Sequence, residues 1–552
     1  MTTSLILPPS LTLPAPGRPV DCGRLLGASL ALAAVELAIR IDKPLLVVAE
    51  DPRHADQLEA EIRFFADDDL PVAHFVEWET LPWDSFSPHQ DIISQRLRVL
   101  ATLPVMKRGI IVTAATALQQ RLPPVAYVAA HSLTLRRGQE LPRDAFTDDL
   151  VTAGYLRVPQ VVEHGEFAVR GSLIDVFPMG AEHPVRIDFF DNEIESLREF
   201  SPESQLSGER FDKIDILPAR EVPLDADAIR AFRDRYRERF EGQPSKSRVY
   251  REISDGIAHG GIEYYLPLFF DTTATLLDYL PPSCNVFAPV ELDALLAQFE
   301  AEARERFELC SLDKERPILS VEETFVVAKD VSLAALPLLR YAAKSLAEGE
   351  LNADTRMPPA MKIETRYEDA AGALLQFLEG FEGRVLFSTD SPGRREQLYD
   401  MLSGRGLDLA RISSWAEFVA GSQRIGVAIA PLENGVLLQS ARLALISEQQ
   451  LFGERTRARK RRRRADRDPE TIIRQLNDLE PGSPVVHEEY GIGRYLGLTT
   501  LETGGIEAEF LHLEYADGDK LYVPVHALEL ISRYTGASPE SAPLHRLGSD
   551  QW

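Results

Sequence analysis

At 552 residues and a formal net charge of -26, the chain is too long for one hydrophobic core and too acidic to bind nucleic acid over most of its surface. Its 44% hydrophobic and 26% charged residues exclude global disorder, and we expect about three to five domains. The three cysteines, Cys22, Cys284 and Cys310, are too widely spaced for a disulfide scaffold or a paired-cysteine zinc site, which suits a reducing cytoplasm.

The first residues, MTTSLILPPSLTLPAPGRP, have no basic stretch before their short apolar patch and are interrupted by proline, so they do not form a secretory signal. The longest apolar run, GASLALAAVELAIR over residues 27–40, contains Glu36 and is too short to span a bilayer. We therefore expect a cytoplasmic protein without a membrane partner.

Residues 1–130 predict the first part of an α/β lobe. A helix is predicted in LLGASLALAAVELAIRI (25–41) and an amphipathic helix in RHADQLEAEIRFFA (53–66). The runs PLLVVAE (44–50) and GIIVTAATAL (109–118) are typical of buried strands, the second of which enters a helix.

A β-rich insert is predicted over residues 131–219, where the apolar period changes to two. EFAVRGSLIDVFPMG (166–180) and HPVRIDFFDNEIESLREF (183–200) predict antiparallel strands separated by a turn at Met179 to Pro184. Residues 220–350 are mostly helical, with a strand in CNVFAPV (284–290), and we expect them to return to the first lobe as its second part.

A second α/β domain is predicted over 351–454, from a strand, loop and helix in GRVLFSTDSPGRREQLYDMLSGRG (383–406) and a buried strand in RLALISEQQLFG (442–453). A basic linker, 455–475, follows it and contains TRARKRRRRADRD (456–468). Residues 476–552 alternate strands with the turns TGG and DGD, which predicts a small, strongly bent sheet or β-barrel.

The motifs of known enzymes are mostly missing from this sequence. A phosphate loop has the form GxxxxGK[ST], and the loop CGRLLGAS has no Lys, so we predict that residues 23–29 do not support nucleotide hydrolysis. Glu448 ends LALISE where a magnesium-holding acid would stand, but it has no partner Lys. We predict no catalytic, cofactor-binding or metal-binding residue; the alternative is an active helicase-like ATPase that uses the first lobe or Glu448.

The pattern of the insert indicates recognition instead of catalysis. Strand alternation puts Arg186, Asp188 and Phe190 on one face of HPVRIDFF, and Arg170 also points outward on its own strand. Arg beside an exposed aromatic is the composition of an interface anchor. The alternative is that Phe190 covers a local apolar patch and both arginines are solvated.

Several long motifs resemble one family in order over essentially the whole chain. They are WETLPWDSFSPHQDIISQRL, HGEFAVRGSLIDVFPMG, IDFFDNEIESLREF, GGIEYYLPLFF and VVHEEYGIGRYLG followed by LYVPV. The family is the bacterial transcription-repair coupling factors, whose first part, up to about residue 350 here, is similar to the excision-repair protein UvrB. The resemblance implies a multidomain α/β fold: a degenerate helicase-like UvrB-homology lobe with a β-rich insert, a second α/β domain, and a small carboxyl-terminal SH3/Tudor-like β-barrel.

The resemblance also implies partners. The insert would bind UvrA through the residues matching VRG and VRIDFF, namely Arg170, Arg186 and Phe190. We expect the carboxylate partners of these arginines to lie on UvrA, so that none of the three residues is needed for folding. The resemblance implies neither ATPase activity nor damage clamping here, because the phosphate-loop Lys and the tyrosine-rich hairpin of UvrB are missing.

The last module, 476–552, resembles the RNA-polymerase-interacting domain shared with CarD-type regulators, which binds the polymerase β subunit. An edge for strand addition is expected near its start, with Leu501 as an exposed apolar anchor. The residues proposed for this contact are Arg494, Tyr495, Leu496, Gly497, Leu498, Thr499, Thr500 and Leu501. In the family, ATP, magnesium and double-stranded DNA belong to a motor that would follow Trp552.

The basic block TRARKRRRRADRD lies between two predicted compact units. Its like charges repel one another, which predicts an extended tether; the alternative is a weak contact with phosphates.

Overall fold

The computed structural model of the chain describes residues 4–8, 11, 15–202, 204–347, 351–363, 371–452, 481–487, 490–503, 506–524, 531–534 and 542–547. Over these residues the architecture is mixed α/β and multidomain, with sheets of seven, six, two, six and five strands. The basic block at 456–468 lies outside the described residues, so the tether stays a prediction. In the described part of the chain, no helix is long and apolar enough to cross a membrane.

The first part of the lobe alternates strands and helices, as its apolar pattern predicts. Its elements are β1 (Val20–Gly23), α1 (Ser29–Ile41), β2 (Pro44–Ala49), α2 (Pro52–Phe65), β3 (Val72–Phe75), α3 (Gln90–Thr102), β4 (Gly109–Ala114) and α4 (Val125–Ala130). The apolar runs of β2 and β4 are buried throughout and pair in parallel. The first helix begins at Ser29, four residues later than the predicted Leu25, because residues 24–28 form a loop.

The insert is a six-stranded sheet with a helix and a two-stranded ribbon. Its elements are β5 (Leu133–Arg136), α5 (Arg143–Thr152), β6 (Leu156–Arg157), β7 (Glu166–Arg170), β8 (Leu173–Val176), β9 (Val185–Phe190), β10 (Glu193–Phe200), β11 (Ser207–Phe211) and β12 (Lys213–Ile216). The six strands lie in the order β11-β10-β9-β8-β7-β6. Each of the two predicted strand runs is therefore a hairpin, and the chain reverses at Gly171 and Asp191, whose φ angles of 62° and 59° are left-handed.

Beyond the insert the chain is mainly helical. Its elements are α6 (Ala226–Arg239), α7 (Arg248–Ser254), α8 (Leu276–Tyr279), β13 (Asn285–Pro289), α9 (Leu292–Cys310), α10 (Val321–Thr324), β14 (Leu338–Tyr341) and β15 (Leu351–Asn352). The seven-stranded sheet has the order β15-β1-β14-β13-β2-β4-β3. Strands from both sides of the insert thus share one sheet.

The second α/β unit has a six-stranded sheet in the order β16-β20-β21-β17-β19-β18. Its elements are β16 (Thr355–Arg356), α11 (Gly372–Gly380), β17 (Arg384–Thr389), α12 (Pro392–Ser403), β18 (Ala410–Ile412), α13 (Trp415–Ala420), β19 (Ile425–Ile429), β20 (Val436–Leu438), β21 (Leu443–Ser447) and α14 (Glu448–Phe452). Trp415 packs edge-on against Phe65 of α2 with ring centroids 5.1 Å apart. One apolar core therefore continues from the lobe into this unit.

The last module is an antiparallel sheet in the order β25-β24-β23-β22-β26. Its strands are β22 (Pro484–His487), β23 (Gly491–Thr503), β24 (Ile506–Glu514), β25 (Lys520–Pro524) and β26 (Ile531–Arg533). Among the described residues β25 and β26 lie at opposite ends of the sheet. Closure into a barrel thus stays a prediction.

Candidate protein-interaction surfaces

The glycine-bearing loop before α1 uses its backbone donors within the chain. A phosphate loop needs free N–H groups to surround the phosphates. Here the N–H groups of Arg24, Leu25 and Ala28 donate to the carbonyl oxygens of Lys344, Ala342 and Asn434, over 3.0, 3.0 and 2.9 Å. The hydroxyl of Ser29, at the position of the magnesium-holding Ser or Thr, donates to the carbonyl of Leu26 at 2.7 Å. These three N–H groups are therefore bonded to other parts of the chain and are not free to bind phosphates.

Glu448 is also engaged within its own domain. Its carboxylate forms an ion pair with Arg394 of α12 at 2.6 Å and accepts a hydrogen bond from the N–H of Asp390 at 3.4 Å. The residue begins α14 instead of ending the preceding strand. In the part of the chain that the structure describes, no group of His, Cys, Asp and Glu side chains has the arrangement of a metal site.

One face of the insert sheet is buried and the other carries the predicted interface residues. Along β9, Val185, Ile187 and Phe189 are buried, whereas Arg186 is partly exposed and Phe190 is exposed. This confirms the predicted alternation of the strand. Phe190 leaves 74% of its surface accessible, which is unusual for a large apolar side chain, and its contact role stays a prediction.

Arg170 lies on the same face as Phe190. The sequence predicts Arg170 and Arg186 on successive strand runs, 166–180 and 183–200, which would make their strands neighbours. This is wrong, because β8 lies between β7 and β9 and separates them by about 10 Å. Arg170 pairs with Leu173, which pairs with Asp188. Cross-strand partners share a face of the sheet. Arg170 is therefore on the face of Asp188 and level with it, midway between Arg186 and Phe190. Its guanidinium is exposed and donates to the carbonyl of Pro159 at 2.9 Å.

Arg186 pairs with a carboxylate inside the insert. This corrects the expectation that the carboxylate partner of Arg186 lies on UvrA. Its Nε and Nη2 donate to the two oxygens of Asp175 over 2.7 and 2.9 Å, and the Asp175 side chain is only 2% exposed. Its Nη1 donates to the carbonyl of Gln205 and the hydroxyl of Ser207, both at 3.2 Å. The guanidinium carbon lies 4.9 Å from the ring centre of Phe200. Hydrogen bonding to Asp175 raises the pKa of Arg186.

The second predicted surface is the long strand β23 of the last module. Its first part pairs with β22 as far as Arg494, and Tyr495 exchanges hydrogen bonds with Ser483 and Gly482 over 2.8 and 2.7 Å. From Leu496 to Thr503, no segment among the described residues pairs with β23 on the side opposite β24. An unpaired strand edge of this length can accept a strand from another protein.

A bulge changes which side chains of β23 face outward. The register shifts between Tyr495 and Gly497, and Gly497 has a φ of 127°. Simple alternation from Tyr495 would put Leu498 on the opposite face of the sheet. The extra residue instead puts Leu498 opposite Leu511, on the same face as Tyr495. Leu498 therefore lies on the face of the sheet that carries the small apolar core, and it is 53% exposed. Leu498 belongs to the predicted contact segment but not as its anchor, although Gly497 was a signal for a bulge.

Leu501, the predicted anchor, pairs with Ala508 through its backbone. The side chains of Thr500 and Leu501 lie outside the described residues, so the anchor role of Leu501 stays a prediction. Thr499 is partly exposed and Arg494 donates to the carbonyl of Gly482 at 2.8 Å.

Family models match three parts of the chain: the UvrB interaction domain over residues 133–222, the MFD D3 domain over 377–451, and the CarD-like/TRCF RID domain over 479–535. The transcription-repair-coupling factor of Escherichia coli (strain K12) is 41% identical over 535 residues, which cover 96% of this chain and 46% of that protein. The chain resembles the amino-terminal region of the transcription-repair coupling factors. That of Haemophilus influenzae is 41% identical over 537 residues, and that of Mycobacterium tuberculosis is 32% identical over 581 residues.

The chain spans about half the length of these transcription-repair coupling factors, 46% in each of the three. The match to the UvrB interaction domain extends from β5 to β12 and includes Arg170, Arg186 and Phe190. The match to the CarD-like/TRCF RID domain extends over all strands of the last module and includes β23. Both predicted surfaces thus lie within matched family domains, and the description of the first one names interaction.

Proposed function

We propose that this chain couples stalled transcription to nucleotide-excision repair, by binding UvrA through its insert and the β subunit of RNA polymerase through its last module. The observation that carries the proposal is that Phe190 and Arg170 are both exposed on one face of the sheet that matches the UvrB interaction domain. A large aromatic and an Arg on one exposed face are the usual anchors of a protein interface.

In this proposal the three insert residues have different roles. Phe190 inserts its ring into an apolar pocket of UvrA, and Arg170 pairs with a carboxylate there. Arg186 supports the surface from within, because its donors are used by Asp175, Gln205 and Ser207. In the last module, an edge strand of the polymerase adds to β23, and Leu498 lies beside it.

The remaining features follow from the same resemblance. We infer a degenerate helicase-like lobe, an SH3/Tudor-like barrel in the last module and a cytoplasmic location. No cofactor is assigned to this chain. ATP, magnesium and double-stranded DNA are assigned to the motor of the coupling factors, which makes the full-length protein a translocase in this proposal.

Phe190→Ala is expected to weaken UvrA binding by about 2 kcal/mol, roughly 30-fold, because it removes the apolar side chain that UvrA would cover. Calorimetry of the chain with UvrA measures the loss, and circular dichroism checks the fold. Leu206→Ala is the matched control, since Leu206 lies in the same insert and is 72% exposed. Equal affinities of the two variants would remove Phe190 from the interface.

Leu498→Arg is expected to weaken binding to RNA polymerase by about 2 to 5 kcal/mol, because a charge would be buried in a desolvated contact without a partner. Leu498→Arg should leave the affinity for UvrA unchanged, and Phe190→Ala should leave the affinity for RNA polymerase unchanged. Leu309→Arg on α9 is a control, because Leu309 is 72% exposed outside the module. A folded Leu498→Arg variant with normal polymerase affinity would place the contact on another strand.

The alternative function is a helicase-like ATPase that uses the first lobe. The ion pair of Glu448 with Arg394 and the closed loop before α1 argue against it. Steady ATP turnover by the purified chain, with or without DNA, and its loss when Glu448 is changed, would favour the alternative.

A further inference from the structure

The loop between β19 and β20 of the second α/β domain reaches into the first lobe at the amino end of α1. The carbonyl of Asn434 accepts the N–H of Ala28 at 2.9 Å. A Cβ atom on Gly27 would lie 2.7 Å from this carbonyl oxygen and 2.6 Å from that of Gly435. No side chain fits between the two units here, so the glycine permits a direct backbone contact.

The same loop is held along α2 of the lobe. Gln57 donates to the carbonyl of Pro431, and the N–H of Glu433 donates to the carboxylate of Glu61 at 3.1 Å. Arg53 forms an ion pair with the Glu433 carboxylate at 3.3 Å. The amino end of α1 and the side of α2 that carries Arg53, Gln57 and Glu61 therefore both bind this loop.

Within its own domain the loop is also fixed. The carbonyl of Glu433 accepts the hydroxyl of Ser447 at 2.9 Å, and the N–H of Gly435 donates to the side-chain oxygen of Gln450 at 3.2 Å. The loop is thus bonded to its own domain as well as to the lobe. Since β19 and β20 are both strands of the sheet of this domain, the position of the loop follows that sheet directly.

We propose that Pro431–Gly435 is a built-in ligand of the lobe, which occupies the place where phosphates would meet the amino end of α1. The carbonyl of Asn434 supplies the negative end of a dipole to the helix terminus, as a phosphate oxygen would. The loop excludes nucleotides and joins the lobe to the second α/β domain as one body. The missing Lys alone would only remove catalysis, whereas this loop also prevents nucleotide binding. The proposal does not depend on which partners the chain binds.

Gly27→Ala tests the proposal, with Gly171→Ala as its control. Both glycines have positive φ angles, 49° and 62°, so both variants carry the strain of a left-handed Ala. A Cβ atom on Gly171 meets nothing within 4 Å, whereas on Gly27 it meets the loop. Amide hydrogen exchange at Ala28 should accelerate in Gly27→Ala by about tenfold or more and stay unchanged in Gly171→Ala.

A milder variant keeps the test decisive if Gly27→Ala fails to fold. Gln57→Ala removes one contact to the loop without a clash and should accelerate exchange at Ala28 by a smaller factor. ATP with magnesium at millimolar concentration should change neither the Ala28 exchange nor the melting temperature of the unmodified chain, because a ligand that binds the folded state would slow the exchange and raise the melting temperature. Slower exchange with ATP, or equal exchange in Gly27→Ala and Gly171→Ala, would overturn the proposal.

Discussion

Arg96→Ala is expected to lower the free energy of unfolding by about 3 to 5 kcal/mol, because it leaves the Glu221 carboxylate buried without its ion partner. Both side chains are fully buried. Arg96 Nε lies 2.5 Å from one Glu221 oxygen, and its Nη1 donates to the carbonyl of Val76 at 2.6 Å and to the side chain of Gln120 at 2.9 Å.

The side chains around Arg96 make the expected loss in the free energy of unfolding larger than it would be for an ordinary ion pair. Its guanidinium carbon lies 4.4 Å and 5.1 Å from the ring centres of Phe75 and Trp78. The Trp78 indole N–H also donates to Glu221 at 3.3 Å. Truncation therefore opens a cavity between two aromatic rings as well as leaving acceptors without donors.

Arg98→Ala is the matched control, two residues further along α3. Arg98 pairs with Glu182 at 3.3 Å, but the two side chains are 57% and 76% exposed, so solvent screens the pair and its loss should cost at most about 1 kcal/mol. Urea denaturation of both variants measures the difference. Similar midpoints for the two would show that the buried pair adds little to stability.

This pair also has a role in positioning the insert. Glu221 directly follows the insert and Arg96 lies on a helix that precedes it, so their bond fixes the point where the chain returns to the lobe. We expect Arg96→Ala to weaken UvrA binding only at temperatures where the lobe begins to unfold.

Local patterns predicted the elements well where burial is uniform along a strand. The runs of β2 and β4 are apolar at almost every position, and period two in β9 identified the exposed Phe190. Periodicity assigns a residue to a face, but it does not identify cross-strand partners. The partner of Arg186 is Asp175, eleven residues earlier, and it is a partner only because β8 lies beside β9.

Contacts between distant segments could not be predicted from the sequence. The closure of the loop before α1 depends on Asn434, about four hundred residues later, and nothing in the pattern of either segment indicates the other. On β23 the period-two rule fails across the bulge at Gly497, because one extra residue puts Leu498 on the face of Tyr495. The sequence therefore placed Leu498 in the proposed contact segment, but its face and its 53% exposure came only from the structure.

Arg186→Ala is expected to lower the free energy of unfolding of the insert by about 3 to 5 kcal/mol, because the Asp175 carboxylate is left buried without its partner. Arg170→Ala is the control and should cost at most about 1 kcal/mol, since Arg170 is exposed. Thermal and urea unfolding measure both losses. A loss of UvrA binding in Arg186→Ala is then ambiguous, because an unfolded insert cannot bind.

The double variant Asp175→Leu with Arg186→Met resolves this ambiguity. Replacing a buried ion pair by apolar residues of similar volume is often neutral, and Phe200 already provides an apolar neighbour. We expect the double variant to recover most of the lost stability and to bind UvrA within about threefold of the unmodified chain, because the Arg186 donors are used inside the insert. If it folds but does not bind UvrA, the guanidinium itself contacts UvrA, and the supporting role given to Arg186 is wrong.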